Sequence, residues 1–282
     1  MTLSQEISPV LYLPALLGLL LLLPGALPAQ DRVALPELRE GTEFHRVVTG
    51  SQRSETPGRA HEETSHLEAR LRVIELREDG SGIFEIEPTV YRVERTGPDG
   101  EVRSWDSATD PEPTEGQFRV IPEFIGHTFR VPFLPGGELD PVFFQASPES
   151  EVEMLGIWGI ASLMGPQDRP DGIPSGLPRH MEVGALAEPM PIAMDPISRA
   201  RYRLVGVEER EGRLEGLVEI SGEMGVGAAG GEISEARLTG RIRIDVERGE
   251  VMESVMSMSH QMAVEPDSHF HFEFTFHTIP VL

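Results

Sequence analysis

The run His66-Leu67-Glu68-Ala69-Arg70-Leu71-Arg72-Val73, closed by Glu78-Asp79-Gly80-Ser81-Gly82, decides the fold. Leu67, Ala69, Leu71 and Val73 fall on one side of an extended chain, and Glu68, Arg70 and Arg72 on the other. A period of two is a strand with one buried and one wetted face. The acidic-Gly cluster is a hairpin turn. Ile83 to Glu87 returns as a second strand, Pro88 interrupts it, and Val90, Tyr91 and Val93 resume it. Lacking an N–H, Pro88 belongs at an edge or a bulge.

The same grammar extends in both directions. Upstream, Phe44 to Val48 reads as a short strand within a flexible lead-in, residues 30–65, whose polar part, 49–65, is expected to be mobile. Downstream come the turn Gly97-Pro98-Asp99-Gly100 and the strand Glu101 to Trp105. Further extended pieces follow at Phe118 to Val120, His127 to Phe133 and Val142 to Phe144. One helix is expected over about 151–164, with Ser150 as cap, Glu151 and Glu153 in the first turn, and Gly165-Pro166 as stop. Residues 166–196 are rich in Pro and Gly and read as an ordered crossover. Strands resume at Tyr202, turn at Arg210-Glu211-Gly212-Arg213, and return over Leu214 to Ile220. Gly222 to Gly231 is expected as a loop. Leu238 to Val246, Val251 to Val264 and His269 to Val281 complete the set. The expected fold is mainly β: a curved antiparallel sheet or sheets, or a half-barrel. It is built from two meander halves, 66–165 and 197–282, with 66–282 as one compact unit.

Charge narrows the functions. The 282 residues carry 24 basic and 47 acidic side chains, a formal net charge of -23. That balance opposes binding to nucleic acid, which needs a cationic surface, and docking on anionic membrane. Every basic side chain is Arg, so a Schiff-base or P-loop lysine is excluded. Cys is absent, which removes thiol nucleophiles, disulfides and Cys–zinc sites.

From Val10 to Leu23 the chain is almost wholly apolar. About 14 residues of helix reach roughly 21 Å, short of the ~30 Å hydrocarbon core. Pro14 and Pro24 also disfavour a continuous span. Ala26-Leu27-Pro28-Ala29 before Gln30 suits signal-peptidase cleavage, so residues 1–29 read as a signal peptide and the protein as exported, to the periplasm or beyond. Residues 1–9 lack Lys and Arg and include Glu6; an uncleaved anchor is the alternative.

Tyr202-Arg203-Leu204-Val205-Gly206-Val207, then Gly212, then Gly240-Arg241-Ile242-Arg243-Ile244-Asp245 with Arg248-Gly249-Glu250-Val251, resembles an uncharacterised family of bacterial exported β-rich envelope proteins. Leu177-Pro178 with Val183-Gly184, Asp106-Ser107 and Ile125-Gly126 are similar to that family as well. A Trp expected after the central Gly is replaced by Ala185-Leu186. The resemblance covers about residues 66–282 and implies an envelope location and a curved antiparallel sheet or half-barrel. It offers no catalytic residues to carry over.

Two constellations hold chemistry. His269-Phe270-His271-Phe272-Glu273-Phe274-Thr275-Phe276-His277, as a strand, puts four Phe on a core face and His269, His271 and Glu273 on the other, where a zinc or copper ion could be held. The plain alternative is a solvated polar face. Met256, Met258, His260 and Met262 share one face and are the soft ligands of a copper site, although Met more commonly fills a core. No Gly-x-Ser-x-Gly elbow and no His-Glu-x-x-His motif is present. The leading expectation is a non-enzymatic binding or structural protein, its partner a hydrophobic ligand or another envelope protein and its cofactor none. The alternative is a metal-binding protein or metal-dependent hydrolase using His269, His271 and Glu273.

Overall fold

The computed structural model describes residues 32–34, 36–56, 59–97, 99–110, 124–137, 139–140, 164, 169–174, 177, 180–187, 199–227, 233–265 and 268–281. Thirteen strands are found among them. In chain order they are β1 Arg32–Ala34, β2 Glu43–Thr56, β3 Arg59–Leu76, β4 Gly82–Thr96, β5 Val102–Asp106, β6 Phe129–Phe133, β7 His180–Glu182 and β8 Leu186–Ala187. β9 Arg199–Arg210, β10 Arg213–Gly227, β11 Ile233–Asp245, β12 Glu250–Glu265 and β13 Ser268–Pro280 complete them. The protein is mainly β and antiparallel. β1 pairs with β7, and the other eleven strands form one sheet in the order β5-β4-β3-β2-β13-β12-β11-β10-β9-β8, with β6 also on β4. The order does not return on itself, so the sheet is open and not a barrel.

Two meanders meet at one seam. β2 to β6 make one half and β9 to β13 the other, and the pairing of β2 with β13 joins them. The strands are longer than the sequence reading expects. β2 and β3 run through most of 49–65, where a mobile polar segment was expected, and β10 runs through Gly222 to Gly227. Their polar residues carry no apolar alternation, yet most are bonded into ladders with strands on both sides and the rest with a strand on one. The neighbours' long-range pairing overrides local composition. The crossover 166–196 contributes the short strands β7 and β8. The expected helix, apart from Met164, and the expected strands Phe118 to Val120 and Val142 to Phe144 lie outside the described residues.

Turn chemistry closes the hairpins. Between β9 and β10, Glu211 has φ 52° and Gly212 φ 76°. Positive φ at both central residues is the mirror-image turn whose twist suits a two-residue hairpin. Pro88 sits at a register shift, where Ala69 faces Pro88 but Glu68 faces Val90. It also falls in the interval between the β6 pairing, which ends at Ile86, and the β5 pairing, which starts at Arg92. A residue without an N–H is tolerated there.

One face of the sheet holds the core. On the N-terminal half Phe44, Val48, Leu71, Val73, Phe84 and Ile86 pack with Phe124, Leu139 and Met164 from outside the strands. On the C-terminal half Tyr202, Leu204, Val218, Ile220 and Ile242 pack with Val33 of β1, Met181 of β7 and Ile173. Gly216 leaves room for Val33, whose Cγ2 lies 3.1 Å from where a Cβ would stand.

At the seam Arg46 is 0% exposed. Its Nε donates to Thr278 Oγ1 at 2.9 Å, Nη1 to Met164 Sδ at 2.9 Å, and Nη2 to the Arg169 carbonyl at 2.8 Å. Ser254 Oγ donates to the Gly172 carbonyl at 2.7 Å. Arg169 in turn pairs with Asp171 (Nη2 to Oδ2, 2.8 Å) and donates to the carbonyls of Gly136 and Pro36. These bonds fasten residues 169–172, the turn after β6 and the lead-in to the middle of the sheet. Arg46→Ala would leave buried acceptors unpaired and a cavity behind. We expect a loss of about 3 kcal/mol or more in urea unfolding, with Arg46→Lys restoring only part because it lacks the second arm.

Candidate ligand-binding face

Register sorts the inner face into rows that run across the strands. The seam row is Ala69, Arg46, Thr278, Ser254, Ile242, Val218 and Leu204. The next row is Tyr91, Leu67, Val48, Phe276, Met256, Gly240, Ile220 and Tyr202. A third is Trp105, Val93, Ser65, Gly50, Phe274, Met258, Leu238 and Gly222. A fourth is Arg103, Arg95, Glu63, Gln52, Phe272 and His260. Across the seam the face therefore passes from the latched polar residues Arg46, Thr278 and Ser254, through two largely apolar rows, to a polar rim on β5 to β2.

Phe276 is buried in the core, and Phe272 is 8% exposed. Phe270 and Phe274 stay half-buried. Their rings touch along β13: Phe270–Phe272 at 5.9 Å between centroids and Phe272–Phe274 at 5.5 Å. The Phe274 ring lies on Gly50, with Cε1 2.5 Å from where a Cβ would stand, so only glycine admits it. Tyr91 is partly buried near Glu63, and desolvation, followed by the Glu63 charge, pushes its hydroxyl up to about 12.

The soft-ligand set divides. Met256 is fully buried against Phe276 and Gly240, as a core residue would be. Met258 is half-buried. His260 is 5% exposed with its ring 5.3 Å from that of Phe272. Met262 lies on β12, its side chain outside the described residues.

On the outer face His271 stands between Gln261 and Arg53, and Glu273 between Ser259 and Ser51, both exposed. The alternation expected from sequence thus holds. His269 lies on β13, with its side chain outside the described residues. Among the described residues no group of three His, Asp or Glu is disposed to hold a metal ion.

A second His–carboxylate group is found where the sequence reading did not look. Glu68 Oε1 lies 2.8 Å from His66 Nε2, and Oε2 lies 3.2 Å from His45 Nε2. His66 and Glu68 share a face by period two, which is legible in sequence; His45 joins them only through the β2–β3 register. Hydrogen bonding from His66, more than the charges of His66 and His45, holds the Glu68 carboxyl below its ordinary range. Arg92 and Asp106 lie beside this group, and a cavity of about 410 Å³ opens over His66, Arg92, Glu94, Asp106 and Asp110. Another of about 340 Å³ is lined by Glu208, Arg210, Glu215, Arg241, Arg243 and Glu253. Both are lined mainly by polar and charged residues, with Val93 and Trp105 in the first and Leu217 in the second.

No protein-family model matches the chain, and no curated protein does. Among solved structures it is similar to lipovitellin, studied for lipid–protein interactions, at 12% identity and a TM-score of 0.48 over 87% of this chain. The chain spans only 26% of that one. A DUF1329 family protein from Desulfovibrio piger aligns at 9% identity and a TM-score of 0.12, covering 82% of this chain and 83% of that chain. Neither likeness is close enough to carry a functional argument.

The depressed Glu68 carboxyl has a defined sign. Its contribution to stability is complete above the ordinary carboxylate range and is lost as pH falls through the lowered value. Urea midpoints measured from pH 7 down to about 3 should fall less steeply for Glu68→Gln than for the parent protein.

Proposed function

We propose that this is a non-enzymatic binding protein that takes an apolar ligand on the inner face of its sheet. One observation carries the reading. Two adjacent rows of apolar and aromatic side chains cross the seam of an open sheet, Phe274 and Met258 within them keep part of their surface accessible, and so does Phe270 beyond the polar rim. Aromatic and Met side chains suit such a surface, because they bury large area and adapt to irregular shapes. An open sheet of eleven twisted strands curls, since flat sheets of that width are unusual. A curved sheet or half-barrel with this face inside would cradle the ligand. Another envelope protein docking on the same face is the second occupant.

The apolar leader supports an exported protein, cleaved after Ala29 and working in the periplasm or outside the cell. Expression in a bacterium with an intact secretion system should give a chain that begins at Gln30 in the periplasmic extract. A full-length chain retained in the cytosol would count against export. The zinc or copper alternative at His269, His271 and Glu273 is tested by metal analysis of the purified protein. Stoichiometric metal that disappears in His271→Ala would support it.

For the binding reading, N-phenyl-1-naphthylamine should gain fluorescence on the folded protein. Phe274→Ser and Phe270→Ser, both at half-buried rings, should each weaken it about tenfold, roughly what removing one buried ring contributes. Glu273→Ala, on the opposite face, should leave it unchanged. A folded parent protein that gives no signal, or Phe variants that bind as well as the parent, would defeat the proposal.

A further inference from the structure

The polar rim has its own chemistry. Arg95 on β4 stands directly opposite Arg103 on β5, and Glu63 on β3 stands opposite Arg95. Arg95 Nε donates to Glu63 Oε2 at 2.8 Å, with a second contact from Nη2, and the two side chains are 21% and 16% exposed. Arg103 Nη2 donates to Glu101 Oε2 at 3.0 Å. The same row continues through Gln52 to Phe272 and His260.

Two features of this row ask for an explanation. Like charges directly opposite each other on one face of a sheet repel. Here two guanidiniums face each other, each with a carboxylate partner, in a chain with nearly twice as many acidic as basic residues. The guanidiniums also lie one row from Val93, Trp105 and Phe274, at the boundary where the apolar rows end. Planar guanidiniums match carboxylate and phosphate; Arg95 is largely shielded from solvent whereas Arg103 is exposed, and such bonds are stronger at the shielded group.

We infer that the ligand is an anionic amphiphile, its head received at Arg95 and Arg103 and its chain laid across β2, β13 and β12 over Gly50, Phe274 and Met258. This rests on the reading of the inner face as the ligand surface. It adds the class of ligand and its direction, head toward the β3–β4–β5 corner and chain across the strands. Glu63 then has a second consequence. It positions Arg95, and it competes with the head for the same guanidinium.

The test uses 11-(dansylamino)undecanoic acid and its methyl ester on the purified full chain, with folding of every variant checked by circular dichroism. The acid should bind about tenfold tighter than the ester, and the difference should shrink as salt is raised. Arg95→Gln should abolish the difference while leaving ester binding in place. Glu63→Gln should strengthen acid binding several-fold. Opposite signs for these two variants set head recognition apart from mere loss of an ion pair, which would move both the same way. Competition by dodecanoate and by dodecyl phosphate identifies the head as carboxylate or phosphate, and displacement by either supports the inference. Equal binding of acid and ester, or weakening of acid binding in Glu63→Gln, overturns the inference and leaves the apolar binding face standing. Failure of both probes to bind the folded protein overturns both.

Discussion

The bond on which the rest of the molecule depends is the one from Arg46 to Thr278 across the β2–β13 seam. Those two strands are the only place where the N-terminal and C-terminal meanders pair in the described order of the sheet. Arg46 fills the seam with a charge that reaches three ways: along the ladder to Thr278, and off the face to Met164 and to the carbonyl of Arg169. A buried guanidinium is tolerated only when its donors are engaged, so the segment that supplies the acceptors is drawn down onto the sheet. Arg169 extends the network to the turn after β6 and to the lead-in. Sheet continuity and the covering of one end of its inner face are therefore secured by the same set of hydrogen bonds.

That arrangement divides the inner face. The seam end is packed by Met164 and Ile173 and, on the C-terminal half, by β1 and β7. The opposite end keeps the aromatic stripe of β13 and closes in the charged row of Arg95 and Glu63. The outer face is a field of cross-strand pairs such as Arg70–Glu87, Arg243–Glu215 and Glu68 with its two histidines. Exposed pairs such as Arg70–Glu87 add little to stability one by one. They keep the second face wetted and leave one face for apolar contact, and a function resting on apolar contact has only that face to use.

Much of the fold was legible because β structure writes itself with a period of two. Leu67 to Val73, the Phe of β13 and the acidic-Gly turns were each read from local sequence, and the open, antiparallel, two-meander sheet agrees with them. The strand extents were not legible in 49–65, where Ser, Thr, His and Glu show no alternation. There the strand exists because β13 on one side and β3 on the other supply partners. The site was legible only in part. Phe270, Phe272, Phe274 and Phe276 were assigned to a core face and lie on the inner face. The pairing of His45 with Glu68, the latch at Arg46 and the meeting of Arg95 with Arg103 depend on which strand lies beside which, and no local pattern records that.

What the sequence by itself determined was the alternation of side chains, the places where the chain turns, the absence of lysine and cysteine chemistry, and the sign of the surface. These follow from bonded geometry and composition, which neighbours cannot change. Only the tertiary structure decided that the last strand pairs with β2, and with it every row of residues across the sheet. Side-chain direction is a property of one strand, whereas register is a property of two, set by contacts between residues as far apart in sequence as Arg46 and Thr278.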